Sequence, residues 1–360
     1  MRRIPWLSVG AVAAVAVALS AIGVKNVEGD VNHQILNVSY DPTRELYARL
    51  DQQFVLHFQR ENGIHLQVKQ SHGGSSRQAR SVIDGEQDAD VVTLGLFTDI
   101  DALRKRGLIA DGWANRLPHH SQPYYSTIVF VVRHGNPKDI HDWPDLIIPG
   151  VEVITPDPRT SGNGKLSALA AWGATTTRGR TDAEALSYLR ALYRHATRLD
   201  SGARGAATTF VVERLGDVQL TWENEAILEL ADTPGELDIV YPPVSILAEP
   251  YVAWVDRNVA RHHTERYARA YLDYLFTDSA QVIVAQAGYR PVNAAIASKY
   301  ADRLRPIKLF SVTDIARDWD DANHRFFDEN GIIDTVIGSP DLAAAKAPRQ
   351  EVQHESRQPT

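Results

Sequence analysis

The chain has 360 residues, 44% hydrophobic and 23% charged, an ordinary globular composition with length for two domains. Its 38 basic and 45 acidic residues give a formal net charge of −7, which argues against a general nucleic-acid binder. Cysteine is absent, which excludes disulfides, thiolate–metal sites, iron–sulfur clusters, a cysteine nucleophile and a lipoprotein cysteine.

Arg2 and Arg3 precede an almost uncharged stretch over 4–24. A basic region followed by an apolar one is the pattern of a secretory signal. Small residues around Ala18 and Ser20 supply a cleavage site, yet the stretch is also about long enough to cross a bilayer, roughly 20 residues. Residues 1–29 are therefore expected to be a signal peptide or an uncleaved N-terminal anchor. Either reading puts the rest of the chain outside the inner membrane, in the periplasm or tethered beside it.

Gln34–Tyr40 reads as a short buried strand. Leu46, Tyr47, Leu50, Phe54, Val55 and Phe58 recur at helical spacing and predict an amphipathic helix over Arg44–Asn62. Alternation predicts a strand over 65–70. Gly73-Gly74 marks a turn, and Ser75 is placed to N-cap a helix through Ile83. A strand over 89–95 and a helix over 99–106 follow. This βαβαβα order implies a parallel sheet covered by helices.

Pro118 and Pro123 flank a polar connection, read as the first crossing to a second domain. Strands are expected over 127–133 and 151–155, and helices from Lys165, over 183–195 and over 208–214. Val218–Trp222 reads as a strand, 225–231 as a helix and 238–241 as a strand. Pro242-Pro243 is the natural place to cross back. A strand over 251–256 and helices over 265–276 and 279–287 complete the first domain. The tail from about 342 is polar and aperiodic, a disordered composition.

Three segments share one physical device: Ser71–Ser76 as SHGGSS, Thr160–Gly164 as TSGNG, and Ser201–Gly205 as SGARG. Each follows an extended segment and precedes a predicted helix. Glycine allows close backbone approach. The first N–H groups of a helix have no internal partner and sit at the positive end of its dipole. Such a turn suits an anion, and ligands in open α/β sheets collect at strand ends.

Other chemistries do not gather. Gly162–Lys165 lacks P-loop spacing, and no G-x-S-x-G elbow exists. His119-His120 and His262-His263 are adjacent pairs without metal-site context. Glu223 and Glu225 offer an acid–base pair, but carboxylates at a helix start equally suit its dipole. Trp222, at a strand end, reads as core or as a donor, since an indole N–H never accepts.

Several stretches together carry a family resemblance: SYDPTRELY over 39–47, QSHGGS over 70–75, ADVVTL over 89–94 and TIVFVVR over 127–133. VITP over 153–156 leads into Thr160-Ser161-Gly162. LDSGARG over 199–205, WENEA over 222–226, SILAEP over 245–250 and Tyr289-Arg290-Pro291 follow in order. The set resembles the prokaryotic sulfate-binding proteins, receptors of sulfate/thiosulfate ABC importers, across about 35–333.

The resemblance implies an α/β, two-lobed periplasmic binding protein of type II. Each lobe would hold a mixed, mostly parallel sheet flanked by helices, with the ligand in the cleft between them. The expected division is 32–117 for the first part of lobe I, 118–242 for lobe II, 243–341 for the second part of lobe I and 342–360 for the tail. It implies a monomer with no enzymatic activity, no cofactor and no metal, whose partners are sulfate or thiosulfate and the importer's membrane subunits. Neutral donors would hold the anion: the N–H of Asp41, the Ser75 segment, the Ser161 hydroxyl and N–H, the N–H groups of Gly162, Asn163 and Ala203, and the Trp222 indole. Arg204 would brace a backbone turn behind them, with Gly74 and Gly202 supporting. Where the family has a second glycine and then an Arg-Trp pair, this chain has Asn163, Lys165 and Leu166.

Other tetrahedral oxyanions, molybdate and phosphate among them, are the alternative ligands. A serine hydrolase built on Ser75 or Ser161 with a histidine is the alternative from another class.

Overall fold

Residues 33–338 are described by the computed structural model; the expected leader over 1–29 and the tail over 342–360 lie outside them. In chain order come β1 (Gln34–Tyr40), α1 (Arg44–Asn62), β2 (Gln67–Gly73), α2 (Ser75–Ile83), β3 (Val91–Leu94), α3 (Phe97–Lys105) and β4 (Tyr124–Arg133). β5 (Val153–Pro156), α4 (Gly162–Thr176), α5 (Asp182–His195), β6 (Ala196–Asp200), α6 (Ala203–Ala207), β7 (Val218–Trp222), α7 (Glu223–Asp232) and β8 (Leu237–Val240) follow. Then come β9 (Val244–Ala248), β10 (Tyr251–Trp254), α8 (Asp256–His262), α9 (Glu265–Tyr274), α10 (Asp278–Gln286) and β11 (Arg290–Pro291). The last are α11 (Ala294–Lys299), β12 (Lys308–Phe310), α12 (Trp319–Phe326) and α13 (Ile332–Ile337).

Helix α1 forms where the apolar spacing predicts it. Leu46, Tyr47, Leu50, Phe54 and Phe58 are its buried face, and it stops at Gly63, whose left-handed conformation sends its N–H back to the Gln59 carbonyl. Strand β4 is different: Ile128, Val129, Phe130, Val131 and Val132 are all buried. A continuous apolar run of this kind is covered on both faces.

Two sheets result. The first has the order β10-β3-β1-β2. β1 runs parallel to β2 and β3, and β10 is antiparallel to β3. The second is built on β4, which is antiparallel to β7, β8, β9 and β11; β5 is parallel to β6 and β7. The first sheet is thus mostly parallel, as expected, and the second more evenly mixed.

Two sequence expectations need correction. The return at Pro242-Pro243 does not leave the second sheet, because β9 pairs with β4 and β12 pairs with β9. Phe310, Val312, Phe326, Ile333 and Val336 also join the second sheet's core, around Trp172 and Leu189. A strand that completes a distant sheet edge leaves no local periodicity to mark it. The helix expected over 208–214 begins earlier, as α6, and runs into a π-helical turn at Thr208–Val212.

Candidate functional site

Strand ends and helix starts from both sheets meet at one small, nearly closed cavity. Its wall is Tyr40, Asp41, Pro42, Gly73, Gly74 and Ser75 from the first sheet's side. Ser161, Gly162, Asn163, Ala203 and Trp222 form the other side. All of the residues singled out as ligand donors lie on this wall. Of the supporting residues, Gly74 is on it too, while Gly202 and Arg204 flank it. A larger open groove follows α8 and α9, but Glu265, Arg266, Arg269 and Asp273 give it mixed charge.

The parallel register explains the convergence. Tyr40, the last residue of β1, pairs with Gly73, the last of β2, so the chain leaves both strands at one level. Asp41 then opens a short 3-10 turn and Ser75 opens α2. Gly162 and Asn163 open α4, and Ala203 opens α6. The first amides of a helix have no acceptor within it, so these N–H groups are the free ends of their elements.

Ser75 is not the N-cap. Gly74 holds that position. The Ser75 hydroxyl donates to Asp99 Oδ2 at 2.5 Å and accepts the Gly95 N–H at 3.0 Å. Asp99 also takes the Ser76 hydroxyl at 2.8 Å. Only the amide of Ser75 is therefore left for a ligand. Asp99, at the start of a helix, carried no sequence signal of this role.

Ser161 has the opposite arrangement. Its N–H, expected as a donor, goes to the Asp157 carbonyl at 3.0 Å. Its hydroxyl oxygen caps α4, weakly accepting the Gly164 N–H at 3.4 Å, which leaves the hydroxyl proton free. Asn163 sits within the first turn of α4 and has no need of glycine's freedom there. Its side chain points away from the cavity, donating to the Leu220 carbonyl and accepting from Ser167. Gly164 is the position that requires glycine, since a Cβ would lie 2.6 Å from the Pro156 carbonyl oxygen.

Trp222 ends β7 fully buried, and its indole Nε1 has no protein acceptor. Its ring lies 5.4 Å from that of Tyr40, so it reaches from the second sheet to the first. A buried donor left unpaired costs about 1–3 kcal/mol. The indole and the helix-end amides thus converge on one small volume without an acceptor.

Charge around the cavity is locally compensated. Arg204 does not brace a backbone turn as expected; its Nη2 donates to Glu45 at 2.5 Å and Glu225 at 3.2 Å. Lys165 lies over the Phe327 ring at 5.2 Å. The Asp41 carboxylate faces Arg44 at 3.6 Å rather than capping its turn, and burial raises its pKa against the pull of Arg44 and Arg204. The His72 imidazole is lowered to about 4, by burial and then by Arg44, and is neutral near pH 7. No metal-binding cluster of His, Cys, Asp or Glu occurs among the described residues.

The family described as "Bacterial extracellular solute-binding protein" matches residues 38–290. The sulfate-binding protein of Salmonella typhimurium is 48% identical over 305 residues, 84% of this chain and 92% of its own. The thiosulfate-binding protein of Pseudomonas aeruginosa is 43% identical over 304 residues, 84% of this chain and 91% of its own. Among solved structures, the sulfate-binding protein SubI from Mycobacterium tuberculosis H37Rv matches with a TM-score of 0.74 at 33% identity. It covers 82% of this chain and 99% of that one.

Proposed function

This chain belongs to the family of prokaryotic sulfate-binding proteins, and from that premise we infer that it captures sulfate and holds it by hydrogen-bond donors alone. The fold is that of a two-lobed periplasmic binding protein. The protein is a solute-binding component, not an enzyme, and serves an ABC importer of sulfate or thiosulfate. It works outside the cytoplasm, and we assign it to the periplasm. Among the described residues no helix is long and apolar enough to cross a membrane.

The observation that carries the donor assignment is the buried, unpartnered Trp222 indole facing the same cavity as the helix-end amides. In this reading the amides of Asp41, Ser75, Gly162, Asn163 and Ala203, the Ser161 hydroxyl and the indole surround the anion. Stripping water from an ion costs several kcal/mol. About seven charge-assisted hydrogen bonds, at roughly 1.5–3 kcal/mol each, offset that cost. The peptide dipoles spread the ligand's charge, so a chain of net charge −7 can hold an anion. Thiosulfate offers the same tetrahedral shape and acceptor-only chemistry.

For the hydrolase alternative, the Ser75 hydroxyl is committed to Asp99 rather than to a histidine, and the Ser161 hydroxyl takes its bond from the Gly164 N–H. Titration of sulfate into wild type and Trp222→Phe, followed by calorimetry, tests the site. Loss of one hydrogen bond to a charged group is expected to cost roughly 1.5–3 kcal/mol of binding. Equal affinities would remove Trp222 from the site.

A further inference from the structure

We propose that the segment Gly288-Tyr289-Arg290 is a positioning element that sets the Asp41 turn and the Trp222 end of β7 in their ligand-binding arrangement when the cleft closes. The inference rests on the donor assignment above and names residues outside the cavity wall.

Tyr289 and Arg290 each bond a residue next to a donor, and Gly288 packs closely against the start of α7. Gly288 lies at φ +85, and a Cβ there would stand 3.2 Å from the Asn224 Cα, in the first turn of α7. Tyr289 is buried and donates its hydroxyl to the Pro42 carbonyl at 2.9 Å. Pro42 follows Asp41 directly, so this bond fixes the turn that presents the Asp41 N–H. Arg290 forms a two-pronged pair with Glu223, Nε to Oε2 at 2.6 Å and Nη2 to Oε1 at 2.8 Å. Its Nη2 also reaches the Arg305 carbonyl at 2.6 Å. Glu223 follows Trp222 directly.

The backbone register supports the same role. Arg290 pairs with Tyr125 and Trp222 pairs with Ile128, both on β4. One strand therefore carries the clamp and the indole. The Tyr289 ring packs 4.8 Å from Tyr124 on that strand. A bidentate guanidinium–carboxylate pair fixes orientation as well as distance. Glu223 is fully buried, and a lone charge there is strongly unfavourable, so the pair holds one geometry. Two donors from opposite sides of the cavity are thus indexed to adjacent residues, so that closing the cleft brings them to one defined separation.

The test compares sulfate affinity, thermal midpoint and the Trp222 indole N–H resonance in Tyr289→Phe and Arg290→Lys. Trp222→Phe serves to identify that resonance. Tyr289→Phe removes a single hydroxyl and is expected to weaken sulfate binding about tenfold, the equivalent of one lost hydrogen bond. Arg290→Lys is expected to move the Trp222 resonance in the ligand-free protein and to weaken binding further. If Arg290→Lys does not fold, the Tyr289→Phe affinity decides alone. A fall in midpoint with sulfate affinity unchanged and the resonance unmoved would assign the segment to folding only and overturn the proposal. An unchanged affinity in Trp222→Phe would instead overturn the donor assignment on which the proposal rests.

Discussion

Ser75 and Ser161 show how one residue type takes two roles at a single site. The Ser75 hydroxyl is spent on Asp99 and Gly95, leaving only its amide to the ligand. The Ser161 amide is spent on Asp157, leaving its hydroxyl proton. Replacement by alanine should therefore separate the two. Ser161→Ala loses a donor and is expected to lose roughly 1.5–3 kcal/mol of sulfate binding with little change in folding stability. Ser75→Ala keeps the amide but strands the buried Asp99 and Gly95 groups, at a folding cost of about 1–3 kcal/mol. Denaturation curves and titrations of both variants check this, and equal losses of affinity would contradict it.

At the scale of elements, the cleft is closed by contacts between backbones. A Cβ on Gly74 would stand 2.8 Å from the Thr160 carbonyl oxygen, which lies on the far side of the cavity. Gly74→Ala is expected to fold normally, because its own φ of −60 suits any residue, but to resist closure. Small-angle scattering should show a sulfate-induced decrease in radius of gyration for wild type and a smaller one for Gly74→Ala. An equal decrease in both would contradict this reading. Much of this architecture was legible in the sequence. The amphipathic stripe marked α1 within its observed bounds, and the Ser/Gly turns marked the helix starts that converge. The unread parts have physical causes. Strand β9 pairs with β4, and β12 pairs in turn with β9, a long-range condition absent from local pattern. Asn163 stands where the family has glycine, but the position is helical, and it is the next residue, Gly164, that must be small. Asp99 and Glu45 gained their roles from partners far away in sequence, Ser75 and Arg204.

For the whole molecule, buried carboxylates link stability to pH. Burial raises Glu229 to about 8, helped by the charge of Glu225, and Asp51 to about 7. Between the ordinary carboxylate range and these values, the folded state keeps protons that the unfolded chain has released. Stability must then fall as pH rises through that window. Denaturant unfolding at pH 5, 6.5 and 8 should show the decline (pH values set about the shifted groups). Glu229→Gln is expected to flatten it, and an unaltered slope in that variant would contradict the assignment. The ligand follows a different rule. Sulfate is fully ionised near neutrality and only accepts hydrogen bonds, whereas phosphate there carries at least one proton that needs an acceptor. A shell of amides, an indole and a serine hydroxyl offers donors, and a site of fixed polarity discriminates strongly against the wrong partner. The most direct measurement is competition calorimetry with sulfate and inorganic phosphate near pH 7. The account predicts one sulfate bound per chain and phosphate far weaker; phosphate binding as tight as sulfate, and lost in Asp41→Asn, would contradict it.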